Sequence, residues 1–287
     1  MKIAIAGAFG HLGYDILKEA IEKNYEVIAL DLKEKDNPYQ GKYLFHPIDV
    51  TKKETLAGLL DGVDVLVSTV GLVSKSATLT NYDIDYQGNR NLLEEAKKNK
   101  VKKFVYVSVI HAETAKDVPR LDSKFQFEEK LKASGRNYSI VRPTGYFYDI
   151  AHVFRPRIEK GKVTLLGRKS YPVNVIDTSD LADFILKKAA EEGNSFDEIG
   201  GKETYTYEEI AKRFFAAAGK KAKISRAPVF LFDLIIKKAA KKKDGSEAII
   251  RFSKWTLTHE REGKVKYGTR SFKDYIFALY SKKGEGK

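Results

Sequence analysis

The chain has 287 residues, a formal net charge of +13, 43 % hydrophobic and 32 % charged residues, and no cysteine. That size and balance fit a folded chain with a sizeable core, and they exclude disulfides, thiolate catalysis and cysteine metal ligands. No apolar run approaches the roughly 20 residues that span a bilayer, and no secretory leader precedes the first strand, so a cytoplasmic location is expected.

Lys2 to Ala6 is an apolar run of strand length, Gly7-Ala8-Phe9-Gly10-His11-Leu12-Gly13 is a glycine-rich turn, and Tyr14 to Asn24 carries helical spacing. Val27 to Leu30 reads as a second buried strand, ending at Asp31. This is a βαβ unit. Parallel strands need a crossover helix, and glycines let amides at the helix start approach a diphosphate closely. The spacing is G-x-x-G-x-x-G rather than G-x-G-x-x-G, but the strand before, the helix after and the acid ending the next strand supply the context of a dinucleotide site. The plain alternative is a tight strand-to-helix turn, with Asp31 capping a strand.

Tyr43 to Ile48 predicts a third strand, with Pro47 marking an edge position. Thr51 to Leu60 predicts a short helix opened by a Thr51/Glu54 capping box. Val63 to Val70 is a nearly unbroken apolar strand, as suits a parallel strand buried on both faces. A polar loop over 72–82 leads to a helix from Asp83 to Asn99, a strand from Lys103 to Ser108, a helix from Leu121 to Ser134 stopped by Gly135, and a strand from Tyr138 to Val141. The alternation predicts a parallel sheet with helices on both sides.

Beyond Gly145 the alternation loosens. Helices are expected at Ile150 to Gly161, Thr178 to Glu192 and Tyr207 to Gly219, the last capped by Thr206, with short strands at Val163 to Leu166, Pro172 to Ile176 and Phe196 to Ile199. The organisation read from this is a dinucleotide-binding domain over 1–145, an interdigitated substrate-side region over 146–280, and a disordered tail over 281–287.

Pro228 to Ile236, followed by Lys237, Lys238 and Lys241 to Lys243, is the most unusual local pattern. An apolar helix with a cationic end fits a peripheral membrane or polyanion contact through residues 229–243. The commoner outcome is packing on its own domain with snorkelling lysines, and that is the expectation. The other lysines read as solvated surface charge, and no zinc-finger spacing or RNA-binding aromatic motif points to a specific nucleic acid. Five scattered histidines give no metal-ligand spacing, so no metal is expected.

Several blocks resemble the extended and atypical short-chain dehydrogenase/reductases, in particular the subgroup with nitrogen-regulator-like proteins, isoflavone-reductase-like enzymes and divinyl-protochlorophyllide reductases. They are Gly7 to Gly13, Asp49-Val50, Tyr86-Gln87-Gly88-Asn89-Arg90-Asn91-Leu92-Leu93-Glu94, Phe104-Val105-Tyr106-Val107-Ser108, and Tyr138 to Phe147. The resemblance implies an α/β Rossmann doubly wound parallel sheet with a smaller C-terminal α+β substrate region, binding NAD or NADP. It implies that Gly7, Phe9, Gly10, His11, Leu12 and Gly13 surround the diphosphate, and that Asp31, with Leu32 and Lys33 following, meets the adenosine ribose. Asp49 and Val50 would lie at the adenine, Thr69, Val70 and Gly71 along the cofactor, and Pro143, Thr144 and Gly145 at the nicotinamide. Gly88 and Asn91 are read as packing positions. Asp31 favours NAD over NADP, because a carboxylate repels a 2′-phosphate, while Lys33 and Lys35 pull the other way.

The superfamily pairs a catalytic tyrosine with a lysine four residues later, the lysine bringing the phenol's pKa toward working pH. Lys124 fills the lysine place, but Arg120 stands where the tyrosine belongs, and arginine cannot exchange a proton near neutrality. Lys124, Ser108 and Tyr146 are therefore the candidate catalytic residues, with Ser108 and Lys124 also at the cofactor. Two functions stay open: an NAD(P)-dependent oxidoreductase on a small organic substrate without the usual tyrosine, or a non-catalytic NAD(P)-sensing regulator or scaffold. Oligomeric state is not legible.

Overall fold

A computed structural model of the chain describes residues 1–281. It divides into two compact units, one of residues 1–142 with 181–197, the other of residues 143–180 with 198 onward. In chain order come β1 (Lys2–Ala6), α1 (His11–Glu22), β2 (Glu26–Asp31), β3 (Leu44–Pro47), β4 (Val65–Ser68), α2 (Asn89–Lys98), β5 (Lys103–Val107), α3 (Pro119–Lys132) and β6 (Asn137–Pro143). Then follow α4 (Phe147–Glu159), β7 (Val163–Leu166), β8 (Pro172–Val173), α5 (Thr178–Ala190), β9 (Ser195–Gly200), β10 (Tyr205–Thr206), α6 (Tyr207–Ala217), β11 (Ile224–Ala227), α7 (Phe230–Ala240), α8 (Ser246–Thr258), β12 (Val265–Lys266) and α9 (Phe272–Ser281). Of the expected tail, Ser281 ends α9, and 282–287 lie outside the described residues.

Eight strands form one sheet in the order β12-β9-β6-β5-β4-β1-β2-β3. β1 runs parallel to both β2 and β4, and Ala6 lies level with Leu30 on one side and Ser68 on the other. This register fixes the site: the residues that follow, Gly7, Asp31 and Thr69, emerge together at one carboxyl edge. The Rossmann-like α/β expectation is met. β3, with Pro47, stands at the sheet's edge, where a residue without an N–H costs no ladder bond. In the first unit the sheet is packed by Leu30, Leu66, Leu92, Phe104, Phe127 and Leu131, all buried. The second unit has its own core, in which Phe154 stacks on Tyr207 and Phe214 at ring separations of 6.0 and 5.6 Å.

Local chemistry explains where the structure departs from the sequence reading. The Thr51 to Leu60 helix is reduced to a single 3-10 turn at Lys53–Thr55. Asp49 captures the Thr51 hydroxyl at 2.7 Å and its amide at 3.0 Å, so no capping box forms, and Gly58 turns to a φ of +77°. The helix expected from Asp83 begins as a π-helix, Tyr82–Gly88. There the Asn89 side chain donates to the Asp85 carbonyl at 2.8 Å, the acceptor an α-helix gives to the backbone amide four residues on. The Pro172 to Ile176 strand shortens to two residues, because Asn174 turns its side chain and carbonyl to other loops. At α6 the expected cap is present: Thr206 and Glu209 form a complete capping box.

Candidate cofactor site

The glycine turn between β1 and α1 leaves no room for side chains at its two ends. Gly7 has a φ of +80°, and a β-carbon on it would stand 2.6 Å from the Thr69 hydroxyl; one on Gly13 would stand 1.9 Å from the Gly7 carbonyl oxygen. Gly10, between them, precedes α1 without any side-chain cap, so the Leu12 and Gly13 amides stand at a helix start that its N-cap residue leaves uncapped, the arrangement that receives anions. Thr69 closes the turn from the β4 side, its hydroxyl donating to the carbonyls of Ala6 and Gly7 at 3.1 Å each.

Asp31 is tied to the same turn. Its carboxylate accepts from the Phe9 amide at 2.8 Å and from the Leu32 amide at 2.7 Å, while Lys35 donates its ammonium to the Phe9 carbonyl. The Phe9 ring packs on Tyr43 and Phe45, and Leu32 and Lys33 are exposed. Asp49 has its own work: the Thr51 hydroxyl and amide hold its carboxyl below the usual carboxylate range. Val50 meets Gly88, where a β-carbon would stand 2.6 Å from Val50 Cγ2, and its carbonyl accepts from Asn91 at 2.8 Å. Gly88 and Asn91 thus serve packing.

A second cluster in the first unit gathers Gly71 and Lys124 around a residue that the sequence reading missed, Asp85. The Lys124 ammonium lies 3.3 Å from Asp85 Oδ1, donates to the Val107 carbonyl at 3.2 Å, and rests over the Tyr106 ring at 5.2 Å. Asp85 is almost wholly buried, and its other oxygen accepts from the Leu72 amide and the Asn81 side chain. A β-carbon on Gly71 would stand 2.8 Å from Asp85 Oδ1 and 3.4 Å from Lys124 Nζ. Arg120 donates to the Leu72 carbonyl at 2.8 Å, so it secures the loop after β4. Val70 is buried above Ser68. The Ser108 hydroxyl, on the residue after the Val107 carbonyl, is buried without a hydrogen-bond partner among the described residues.

The NmrA-like family model matches residues 1–263. The chain belongs to the NmrA-like family. Two curated relatives show its range. Photosystem II assembly factor Ycf39 of Cyanophora paradoxa is 26 % identical over 238 residues, covering 82 % of this chain and 74 % of that one. Divinyl chlorophyllide a 8-vinyl-reductase of Arabidopsis thaliana is 28 % identical over 270 residues, covering 82 % and 62 %. Among solved structures, the NADPH complex of the Escherichia coli quinone oxidoreductase QOR2 superposes with a TM-score of 0.70 at 20 % identity, over 97 % of this chain and 99 % of that one. The last is a likeness of fold.

In this NmrA-like chain the remaining candidates, Pro143, Thr144, Gly145 and Tyr146, belong to the second unit. Buried Arg261 donates to the Thr144 carbonyl at 2.6 Å and to the Tyr207 hydroxyl. Thr144 in turn donates to the Asn174 carbonyl at 2.7 Å. Gly145, at a φ of +140°, has Arg261 3.2 Å from where a β-carbon would be. Burial, with Asp149 nearby, pushes the Tyr146 phenol up, so it keeps its proton at neutrality and makes a poor base. Of the residues missed, Asp85 had a signal: Asp85, Asn89, Leu92 and Ala96 share one helical stripe, which puts an acid on an apolar face. Arg261 and Asn174 had none, because their partners lie far away in sequence.

Proposed function

We propose that this chain binds a nicotinamide dinucleotide in its first unit and acts as an oxidoreductase on a small organic substrate without a catalytic tyrosine. The observation that carries the reading is the glycine turn, where Gly7 and Gly13 exclude β-carbons at an uncapped helix start. When bound, the cofactor supplies or accepts the hydride. The protein's part is positioning. Asp85 holds the Lys124 ammonium beside Gly71, a residue that the family resemblance sets along the cofactor, and the unpartnered Ser108 hydroxyl offers a donor or acceptor to a ligand. Asp31 favours NAD over NADP, and Lys35 beside the turn tempers that preference.

Fluorescence titration with NADH and NADPH tests the reading. Native protein should bind NADH more tightly, Asp31→Ala should narrow the gap, and binding of neither nucleotide would sink the proposal. Single-turnover oxidation of bound NADH against a panel of quinones and enones then tests the redox step. A second reading, an NAD(P)-sensing scaffold without turnover, is favoured by Arg120 at the tyrosine place, where it holds a loop carbonyl. Tight binding with no oxidation by any acceptor would select it.

A further inference from the structure

Helix α7, in the second unit, packs on α8 and buries Ile236 and Ala239. Its opposite face is apolar and open: Phe230 is 60 % exposed, Leu231 38 %, Leu234 56 % and Ile235 47 %. The packing expected from the sequence therefore accounts for only one side of the helix. Lys238, seven residues beyond Leu231 and four beyond Leu234, continues that face inside α7, and Lys241, Lys242 and Lys243 follow directly after the helix end. Lys237, Lys238, Lys241, Lys242 and Lys243 are all exposed. The one acid within α7, Asp233, is already bound to Lys254 at 2.6 Å. At the start of the helix, Arg168 and Arg226 border a cavity of about 360 Å³ whose other wall is Ala227, Pro228 and Val229.

We infer that this face of α7 docks on an anionic lipid surface. Its apolar first half matches the acyl boundary and its lysine second half matches the headgroups. A protein partner or a second copy of this chain, itself at +13, would have to offer both an apolar surface and an acidic one beside it. An anionic bilayer offers the two everywhere. No helix of the described residues is long and apolar enough to cross a membrane, so the contact is one of lying on the surface, with Phe230 and Leu231 entering first.

Flotation of the full chain with phosphatidylcholine vesicles, with and without phosphatidylglycerol, is the test. The native protein should float only with the anionic vesicles and be released by high salt. The double substitution Leu231→Ser/Leu234→Ser, and separately Lys238→Gln/Lys241→Gln/Lys242→Gln, should each weaken that binding by about tenfold or more. All these positions are exposed, and an unchanged circular dichroism melt confirms folding. Absence of flotation by the native chain, or flotation indifferent to both variants, overturns the inference. So does a concentration-dependent dimer in light scattering that the Leu231→Ser/Leu234→Ser variant abolishes, since the face would then belong to a second copy.

Discussion

Lys124 and Asp85 form a nearly buried ion pair at 3.3 Å, with side-chain exposures of 11 % and 1 %, and such pairs punish the loss of one member more than the loss of both. Asp85→Leu leaves an ammonium without its counter-charge and should cost about 3–5 kcal/mol, whereas Asp85→Leu with Lys124→Met should recover much of it. Urea unfolding of the two variants measures the difference; equal stabilities would show that the pair is not coupled. Lys124 was legible because a lysine at that place belongs to a recognisable block. Asp85 left only the stripe it shares with Leu92 and Ala96, and a carboxylate on a mostly polar helix reads as solvated until its burial is seen. Arg120 was legible as a missing tyrosine, but its hold on Leu72 was not, since a contact across 48 residues leaves no trace in local pattern.

Elements were legible where the pattern is local. β1, the turn, α1 and β2 follow from apolar runs and glycines within some thirty residues, and α6 from Thr206 with Glu209 three positions on. The π-helix at Tyr82–Gly88 and the lost helix after Thr51 were not, because side-chain hydrogen bonds, donated by Asn89 and accepted by Asp49, replaced those that helical periodicity assumes. The turn yields a graded prediction. Gly13→Ala, with a β-carbon 1.9 Å from a backbone oxygen, must shift α1 off β1 and should abolish dinucleotide binding. Gly135→Ala meets no atom and carries only the strain of its φ of +72°, about 1–2 kcal/mol, with binding intact. Thermal melts beside nucleotide titrations separate the two effects. At α6, Thr206→Ala removes the cap's acceptor for the Glu209 amide and should cost about 1 kcal/mol.

At the scale of the whole chain, acid is a predictable weakness. Thr51 and Lys52 hold Asp49 below its ordinary 3.8, Lys102 and the Lys2 amide do the same for Asp64, and the Thr206 amide and hydroxyl hold Glu209 below 4.5. Carboxyls depressed in the folded state give stability that is complete above their unfolded values and is lost as pH falls through the folded ones. Urea midpoints should therefore be flat from neutrality to about pH 5 and drop below about pH 4. A net charge of +13 adds repulsion as the acids neutralise.

The return of residues 181–197 to the first unit also sets an order of events during synthesis. Lys103 donates to the Glu191 carbonyl, Asn194 accepts from the Tyr138 amide, and Ser195 donates to Ser139. A ribosome that has released residue 145 has therefore delivered a sheet whose β6 side still waits for about fifty more residues, some seconds of translation. The nascent edge is exposed for that interval. A chain stopped at 145 should aggregate, one carried through 197 should gain solubility, and a chaperone that covers bare strand edges should find its substrate in the first.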